Sequence, residues 1–275
     1  MRYKYSDFSI NFFENVDTEY KAYILGILYA DGNVSKNTNS VKLSLRVKDV
    51  DILEKIKKSM KLENELFFES NRPNVILKFT NKKIKEDLIK QGCTPNKTFT
   101  IKEPNLNRKL IHHFIRGYFD GDGSVSYGYN ERNNLYFKLF FAGTYKLLNF
   151  INEYLPIKCE NISEQGKIYR LQFGSKRSIL TNLNYIYNNS DIFMDRKYEI
   201  YNDIKDIISN DISGSEKTQF KGVKVIQKDY ESDDILGIFD SIKEAENKTE
   251  SPSISQCCRG VIKSSGGYKW EYYYE

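Results

Sequence analysis

The chain has 275 residues, of which 40% are hydrophobic and 29% are charged. This length can form one large domain and a small one, and the hydrophobic content excludes a largely disordered protein. No apolar run approaches the ~18 residues of a membrane span, and the first residues lack the pattern of a secretory signal. The sequence therefore predicts an intracellular protein (cytoplasmic, organellar or phage-encoded) with no membrane association.

Cysteine and histidine spacing argues against a zinc site. The four cysteines stand at positions 93, 159, 257 and 258, and the two histidines, His112 and His113, are adjacent. No CxxC pair is present, and zinc sites are usually built from such pairs. We therefore expect reduced, free thiols.

Charge is distributed unevenly along the chain. The net charge is +5, with +7 in residues 1–215 and −2 in residues 216–275. A basic surface favours a polyanionic partner such as nucleic acid. We expect that partner to bind the first two-thirds of the chain.

Up to about Ser209, the sequence contains two copies of one pattern. Each copy has an apolar helix that ends in Asp-Gly, an alternating strand, a second helix, and a strand that runs into a basic turn. These segments are 22–32, 41–47, 51–62 and 76–83 in the first copy, and 114–123, 135–143, 145–155 and 169–177 in the second. The sequence predicts an α+β fold of two pseudo-symmetric αββαββα halves, residues 1–103 and 104–209.

The composition changes after the second copy. Residues 210–220 are polar and contain Gly214, which is typical of a linker. Residues 221–275 then contain two short strands followed by two helices. We predict a small, separate module that resembles a helix-turn-helix, an arrangement that can enter a DNA groove.

Small residues recur one turn apart in both Asp-Gly helices. Gly26 and Ala30 share a face of the first helix, and Gly117 and Gly121 occupy the same places in the second. Glycine inside a helix is unfavourable by about 1 kcal/mol relative to alanine, so its presence in both copies needs a reason. Small residues at this spacing let two helix backbones touch. We therefore expect the helices to cross here and to bring their last residues together.

Those last residues are Asp31 and Asp122. Two carboxylates at helix C-termini repel each other unless a cation lies between them. With backbone carbonyls, which we assign to Ala30 and Gly121, they form an oxygen site suited to Mg²⁺ or Mn²⁺. Metal ions held in this way cleave phosphodiester bonds. We also expect the next residues, Gly32 and Gly123, to adopt backbone conformations that other residues resist.

Two segments, ILGILYADG at 24–32 and IRGYFDGDG at 115–123, resemble the paired motifs of single-chain LAGLIDADG homing endonucleases. The resemblance covers residues 15–205 and implies a saddle that binds a long double-stranded DNA target and cuts it with Mg²⁺. It also implies a basic residue near each active site, for which Lys97 and Lys197 are the candidates. Asp120 stands where the first copy has Tyr29, so we do not count it as an equivalent catalytic group.

The resemblance extends to the C-terminus, where residues 221–274 are similar to nuclease-associated modular DNA-binding domains. Residues 251–270 contain three basic residues and no acidic residue, which agrees with a DNA-binding surface. Polar strand faces and this module supply the candidate DNA contacts. The candidates are Lys42, Ser44 and Arg46 in the first half, Lys138, Arg170 and Gln172 in the second, and Arg259 and Lys263 in the module.

Two further interpretations stay open at this point. The chain can be a nucleic-acid-binding protein on the same scaffold that does not cleave, either a maturase that binds intron RNA or a DNA-binding regulator. The presence of both acidic residues favours the nuclease. Because the duplication already supplies two related halves, we expect a monomer.

Overall fold

The structure is a computed structural model that describes residues 5–95, 101–212, 224–258 and 262–273, with backbone only for 210–212. The first half folds around a four-stranded antiparallel sheet in the order β1-β2-β4-β3. Its helices are α1 (Asp7–Ile10), α2 (Glu19–Ala30), α3 (Val50–Met60) and α4 (Lys82–Lys90). Its strands are β1 (Gly32–Val34), β2 (Ser40–Arg46), β3 (Leu66–Phe68) and β4 (Asn74–Thr80).

The second half repeats this plan with a sheet in the order β5-β6-β8-β7. Its helices are α5 (Ile111–Asp122), α6 (Tyr145–Tyr154), α7 (Lys176–Tyr187) and α8 (Asp195–Ile212). Its strands are β5 (Gly123–Tyr129), β6 (Leu135–Gly143), β7 (Ser163–Gln165) and β8 (Ile168–Phe173). The predicted α+β class and the αββαββα order of each half are confirmed.

Alternation along the strands decides which face of each sheet is covered. In β2, Val41, Leu43 and Leu45 are buried, whereas the residues between them lie on the opposite face. The inner faces of both sheets and the helices share one continuous core. Val41 pairs with Phe79, and Leu139 pairs with Phe173, so the two halves also share one register.

The N-terminus of α8 joins the second half to the first. The Arg196 guanidinium donates to both carboxylate oxygens of Asp49, at 2.8 and 3.3 Å. The Lys55 ammonium pairs with the Asp195 carboxylate and donates to the carbonyl of Phe193 at 2.9 Å. These paired charges fix the segment that leads to Lys197.

Residues 224–258 and 262–273 form a unit with its own small core around Trp270. A sheet in the order β10-β9-β11 packs with two helices of eight and five residues. The elements are β9 (Val225–Lys228), β10 (Ile235–Phe239), α9 (Ile242–Thr249), α10 (Ile254–Cys258) and β11 (Lys269–Tyr272). Strand β11 was not predicted, and the helix-turn-helix-like character of the module stays a prediction.

The module contacts the body near the start of α5. Lys109 pairs with Glu271 at 2.9 Å, and the rings of His112 and Tyr272 lie 6.2 Å apart. The linker predicted at 210–220 lies almost entirely outside the described residues. Across the parts of the chain that the structure describes, no helix is both long and apolar enough to cross a membrane.

His112 makes stability depend on pH. Burial, together with the Arg116 cation, lowers the pKa of this imidazole from 6.5 to about 3. Between these two values the unfolded chain binds a proton that the folded chain does not, so this contribution destabilises the fold as pH falls. At pH 5 we expect it to lower the free energy of unfolding by on the order of 2 kcal/mol relative to pH 8.

Urea unfolding of the wild type and of His112→Gln at pH 5 and pH 8 tests this expectation by measuring the free energy of unfolding. The variant should show a smaller difference in unfolding free energy between the two pH values. An equal difference in wild type and variant would assign the pH dependence to other groups.

Candidate active site and nucleic-acid interface

Helices α2 and α5 cross with their backbones in contact. A Cβ atom on Gly26 would lie 2.7 Å from the backbone nitrogen of Tyr118 and would overlap the carbonyl of Phe114. A Cβ atom on Gly117 would lie 3.0 Å from the nitrogen of Ile27. Real Cβ atoms do not approach backbone atoms this closely, so the crossing requires glycine at both positions. The predicted contact between the small residues of the two helices is confirmed.

This crossing places Asp31 beside the last turn of α5. Asp31 ends α2, and its N–H donates to the carbonyl of Ile27 at 2.9 Å. Its Oδ2 lies 2.9 Å from the position that a Cβ atom on Gly121 would take, next to Ala30. Asp122, one residue after Gly121, is half-buried, as is Asp31. Both carboxylates therefore lie at the same end of the helix pair.

Tyr118 lies within electrostatic range of both carboxylates. Its O–H donates to the carbonyl of Ala142 at 2.7 Å. Burial, followed by the negative charges of Asp122 and Asp31, raises the pKa of Tyr118 well above 10. The phenol therefore stays protonated and fixes the end of α5 against strand β6. Sequence reasoning missed Tyr118, because only the packing of α5 on the sheet turns it toward the acids.

The glycines that follow the two aspartates serve a different purpose from the one expected. Neither Gly32 nor Gly123 has a positive φ, and Gly123 is extended at φ −95°. The expectation of an unusual backbone conformation is wrong. A Cβ atom would instead lie 2.8 Å from the Cα of Leu28 at Gly32, and 2.5 Å from the carbonyl oxygen of Phe119 at Gly123. Each glycine therefore allows the strand that follows to pack directly against the last turn of the helix.

The donor set at this end of the helices is made of oxygen atoms. Carboxylates and carbonyls are the ligands that Mg²⁺ and Mn²⁺ prefer, so the residues present fit a hard divalent cation. Among the described residues, no group of three or more His, Cys, Asp or Glu side chains is placed to hold a metal. The remaining ligands would have to be backbone carbonyls, water or a bound phosphate. Lys167, which the sequence did not single out, lines a cavity of about 150 Å³ together with Asp122.

Lys197 lies in the first turn of α8, and its buried side chain contacts the C-terminal end of α5. Its ammonium donates to the carbonyls of Phe119, Asp120 and Gly123 at 2.7, 2.8 and 2.7 Å. Burial lowers the pKa of Lys197 to about 8, partly offset by the nearby Asp120 carboxylate. All three N–H groups are thus satisfied by the carbonyls that end the helix next to Asp122. Lys97, the candidate of the first half, lies outside the described residues.

Asp120 is buried and joins three elements. Its carboxylate accepts hydrogen bonds from the Tyr23 hydroxyl at 2.6 Å, from the Met194 N–H at 2.8 Å and from the Tyr187 hydroxyl. Burial raises the pKa of this carboxyl above its ordinary value, although these hydrogen bonds oppose the shift. Asp120 has no opening to a substrate, which agrees with its exclusion from the catalytic groups.

The outward face of the first sheet carries the predicted polar residues and one more lysine. Lys42, Ser44 and Arg46 lie on this face of β2, as the alternation predicts. In the strand register, Lys42 stands directly opposite Lys78 of β4. Lys78 was missed, although the alternation in its own strand could have revealed it. Like charges directly opposite each other are unfavourable, and a bound anion would relieve the repulsion between these two lysines.

The second sheet has the matching face. Lys138 stands opposite Ser126, Arg170 opposite Ala142, and Gln172 opposite Phe140. All six residues share the outward side of the sheet. In the module, Lys263 is exposed, and Arg259 lies outside the described residues.

The opposed lysines predict a trade-off between stability and binding. Because Lys78→Gln removes the repulsion with Lys42, we expect the unfolding free energy to rise by about 0.2–1 kcal/mol. If the face binds DNA phosphates, the slope of log affinity against log salt should decrease by about 0.9. Urea unfolding and a salt titration of DNA binding measure the two effects. Gain of stability with an unchanged slope would show that Lys78 does not contact phosphate.

Sequence similarity to a curated protein covers less than half of the chain. No family model matches the chain. A curated protein of Methanocaldococcus jannaschii, itself described as uncharacterized, is 31% identical over 130 residues, which cover 44% of this chain and 46% of that protein. The chain thus spans about half the length of this relative.

Solved structures match most of the chain. The I-LtrWI LAGLIDADG homing endonuclease bound to target DNA covers 72% of this chain and 93% of its own, at a TM-score of 0.51 and 16% identity. I-GzeII in complex with its DNA target covers 72% and 92%, at 0.53 and 14%. I-SmaMI bound to uncleaved DNA in the presence of calcium ions covers 70% and 93%, at 0.52 and 13%. The chain has the fold of LAGLIDADG homing endonucleases.

Proposed function

We propose that this protein is a site-specific endonuclease that hydrolyses phosphodiester bonds of double-stranded DNA with Mg²⁺ or Mn²⁺. One observation carries the proposal. Asp31 and Asp122 lie at the same end of two helices whose backbones touch, so the crossing fixes the backbone positions from which both carboxylates project. A shared fold with nucleases whose structures contain DNA supports the same activity.

The two carboxylates have the role of metal ligands. The cation, when bound, would activate a water molecule and stabilise the leaving oxygen. Asp31 and Asp122 would hold it against the scissile phosphate, with the carbonyls of Ala30 and Gly121 as further oxygen ligands. Lys197 holds the carbonyl end of α5 and so keeps Asp122 in place.

The outward sheet faces would bind the DNA on both sides of the acids. In the first half, Lys42, Lys78 and Arg46 supply positive charge, and in the second half Lys138 and Arg170 do so. Such cations can bind the phosphate backbone or, in the case of arginine, a base edge, and polar side chains on the same face can also reach base edges. Since one chain carries both acids, we propose that it acts as a monomer.

Cleavage of a randomised double-stranded DNA library by the purified protein tests the proposal. With Mg²⁺ we expect new ends at one defined sequence, and with EDTA we expect none. A protein that enriches a DNA sequence but leaves it intact with Mg²⁺ and with Mn²⁺ would instead be a regulator that binds without cutting. A protein that ignores DNA and retains structured RNA would be a maturase.

A further inference from the structure

We propose that Arg170 recognises a guanine next to the cleavage centre, on the second-half side only, and that Phe140 is the residue that positions it. The inference rests on the proposed function, because it requires double-stranded DNA over the outward face of the second sheet. It adds the identity of one base in a target that is otherwise undefined.

Arg170 already lies over an aromatic ring. The centre of its guanidinium lies 4.3 Å from the ring centroid of Phe140, which is the distance of a cation–π contact. Within the described residues, its Nε is buried and has no hydrogen-bond partner. Contact with the ring removes part of the side-chain freedom that arginine otherwise loses on binding. The guanidinium is thus restrained by Phe140 before any ligand arrives.

Strand register places this arginine two strands away from the acid that ends α5. Arg170 stands opposite Ala142, whose carbonyl accepts the hydrogen bond of Tyr118. Tyr118 in turn lies within electrostatic range of the Asp122 carboxylate. Strand β8 is two strands away from β5, which follows Asp122 directly. Two strand spacings are about 10 Å, or roughly three base pairs along DNA.

The two parallel N–H donors of the arginine guanidinium match the acceptors of guanine. Arginine donates two parallel hydrogen bonds to O6 and N7 of guanine in the major groove, and each good contact of this kind discriminates about ten- to hundredfold against another base. Lys138 lies farther from the same ring, at 5.9 Å from its centroid. A lysine is a point charge on a flexible stem and suits a phosphate better than a base edge. We therefore assign base recognition to Arg170 and not to Lys138.

The first half lacks this arrangement at the equivalent place. The pair Arg170–Ala142 of the second sheet corresponds to Ile76–Ser44 of the first, and Phe140 corresponds to Lys42. An isoleucine cannot donate to guanine. The guanine preference should therefore be absent at the base pair related by the pseudo-twofold axis, and that base pair serves as an internal control.

The experiment compares base preferences of wild type and three variants by sequencing the bound and cut fractions of one randomised library. Arg170→Lys keeps the charge but loses the planar fork. Phe140→Leu removes the ring while keeping an apolar side chain, and Phe140→Tyr keeps the ring. Thermal unfolding of each variant checks that it is folded.

We expect wild type and Phe140→Tyr to prefer guanine about ten- to hundredfold at one position within about three base pairs of the cut on one side. Arg170→Lys and Phe140→Leu should lose that preference and keep those at other positions. A merely structural role of Phe140 would weaken all positions together and overturn the inference, as would a guanine preference that survives in Arg170→Lys. If wild type enriches no DNA sequence, both the proposed function and the inference fail. If it cuts a defined site without this guanine, only the inference fails.

Discussion

Asp31→Asn and Asp122→Asn are each expected to lower the rate of DNA cleavage by about a thousandfold or more, because a metal-stabilised transition state loses several kcal/mol with a charged ligand. Asparagine has the shape of aspartate, so the crossing of α2 and α5 stays intact. Affinity for DNA, measured with Ca²⁺ or without metal, should change little, since the sheet faces supply most of the contacts.

The melting temperature separates this loss of chemistry from a loss of structure. Because two carboxylates at helix C-termini repel each other, neutralising one should leave the melting temperature unchanged or raise it. Asp17→Asn is a matched control, since Asp17 lies at the other end of the first motif helix and pairs with Lys21 at the surface. We expect this control to cut at the wild-type rate. If either motif variant cut DNA at the wild-type rate, the substituted aspartate would not be a ligand of the catalytic metal.

The parts of the fold that repeat were predictable from the sequence. Strand β6 extends from Leu135 to Gly143, the same residues that the alternating pattern marked. The glycines of the two Asp-Gly helices also predicted the helix crossing correctly, because a glycine in a helix interior needs a close neighbour. Both inferences depend on local periodicity, which a single sequence contains in full.

Interactions between distant segments were not predictable. The opposition of Lys42 and Lys78 depends on strand register, and neither residue is unusual in its own strand. The role of Lys197 as the group that binds the end of α5 depends on a helix that starts more than 70 residues later. Arg116 is the clearest case, since its partners come from three separate segments. A sequence read along the chain does not contain these pairings.

Arg116 lies inside the second motif helix and is fully buried. Its guanidinium donates to the carbonyls of Ile192 and Ile186 at 2.8 and 3.0 Å and to the Glu19 carboxylate at 2.6 Å. Glu19 also accepts from the N–H of Asp191 at 2.8 Å. A buried cation with these partners joins the first turn of α2 to the loop that precedes α8.

Arg116→Leu is expected to lower the free energy of unfolding by about 3–5 kcal/mol, because it leaves the Glu19 charge and two carbonyls in a poorly solvated site. Leucine fits the helix, since Leu25 occupies the equivalent place in α2 and is buried. The loss would therefore come from the polar partners and not from helix propensity. Urea unfolding of Arg116→Leu, Glu19→Gln and the double variant measures it. Because Glu19→Gln removes the unpaired charge, the double variant should be more stable than Arg116→Leu alone. Additive losses in the double variant would show that Arg116 and Glu19 act independently, and that the carbonyls of Ile186 and Ile192 account for the effect.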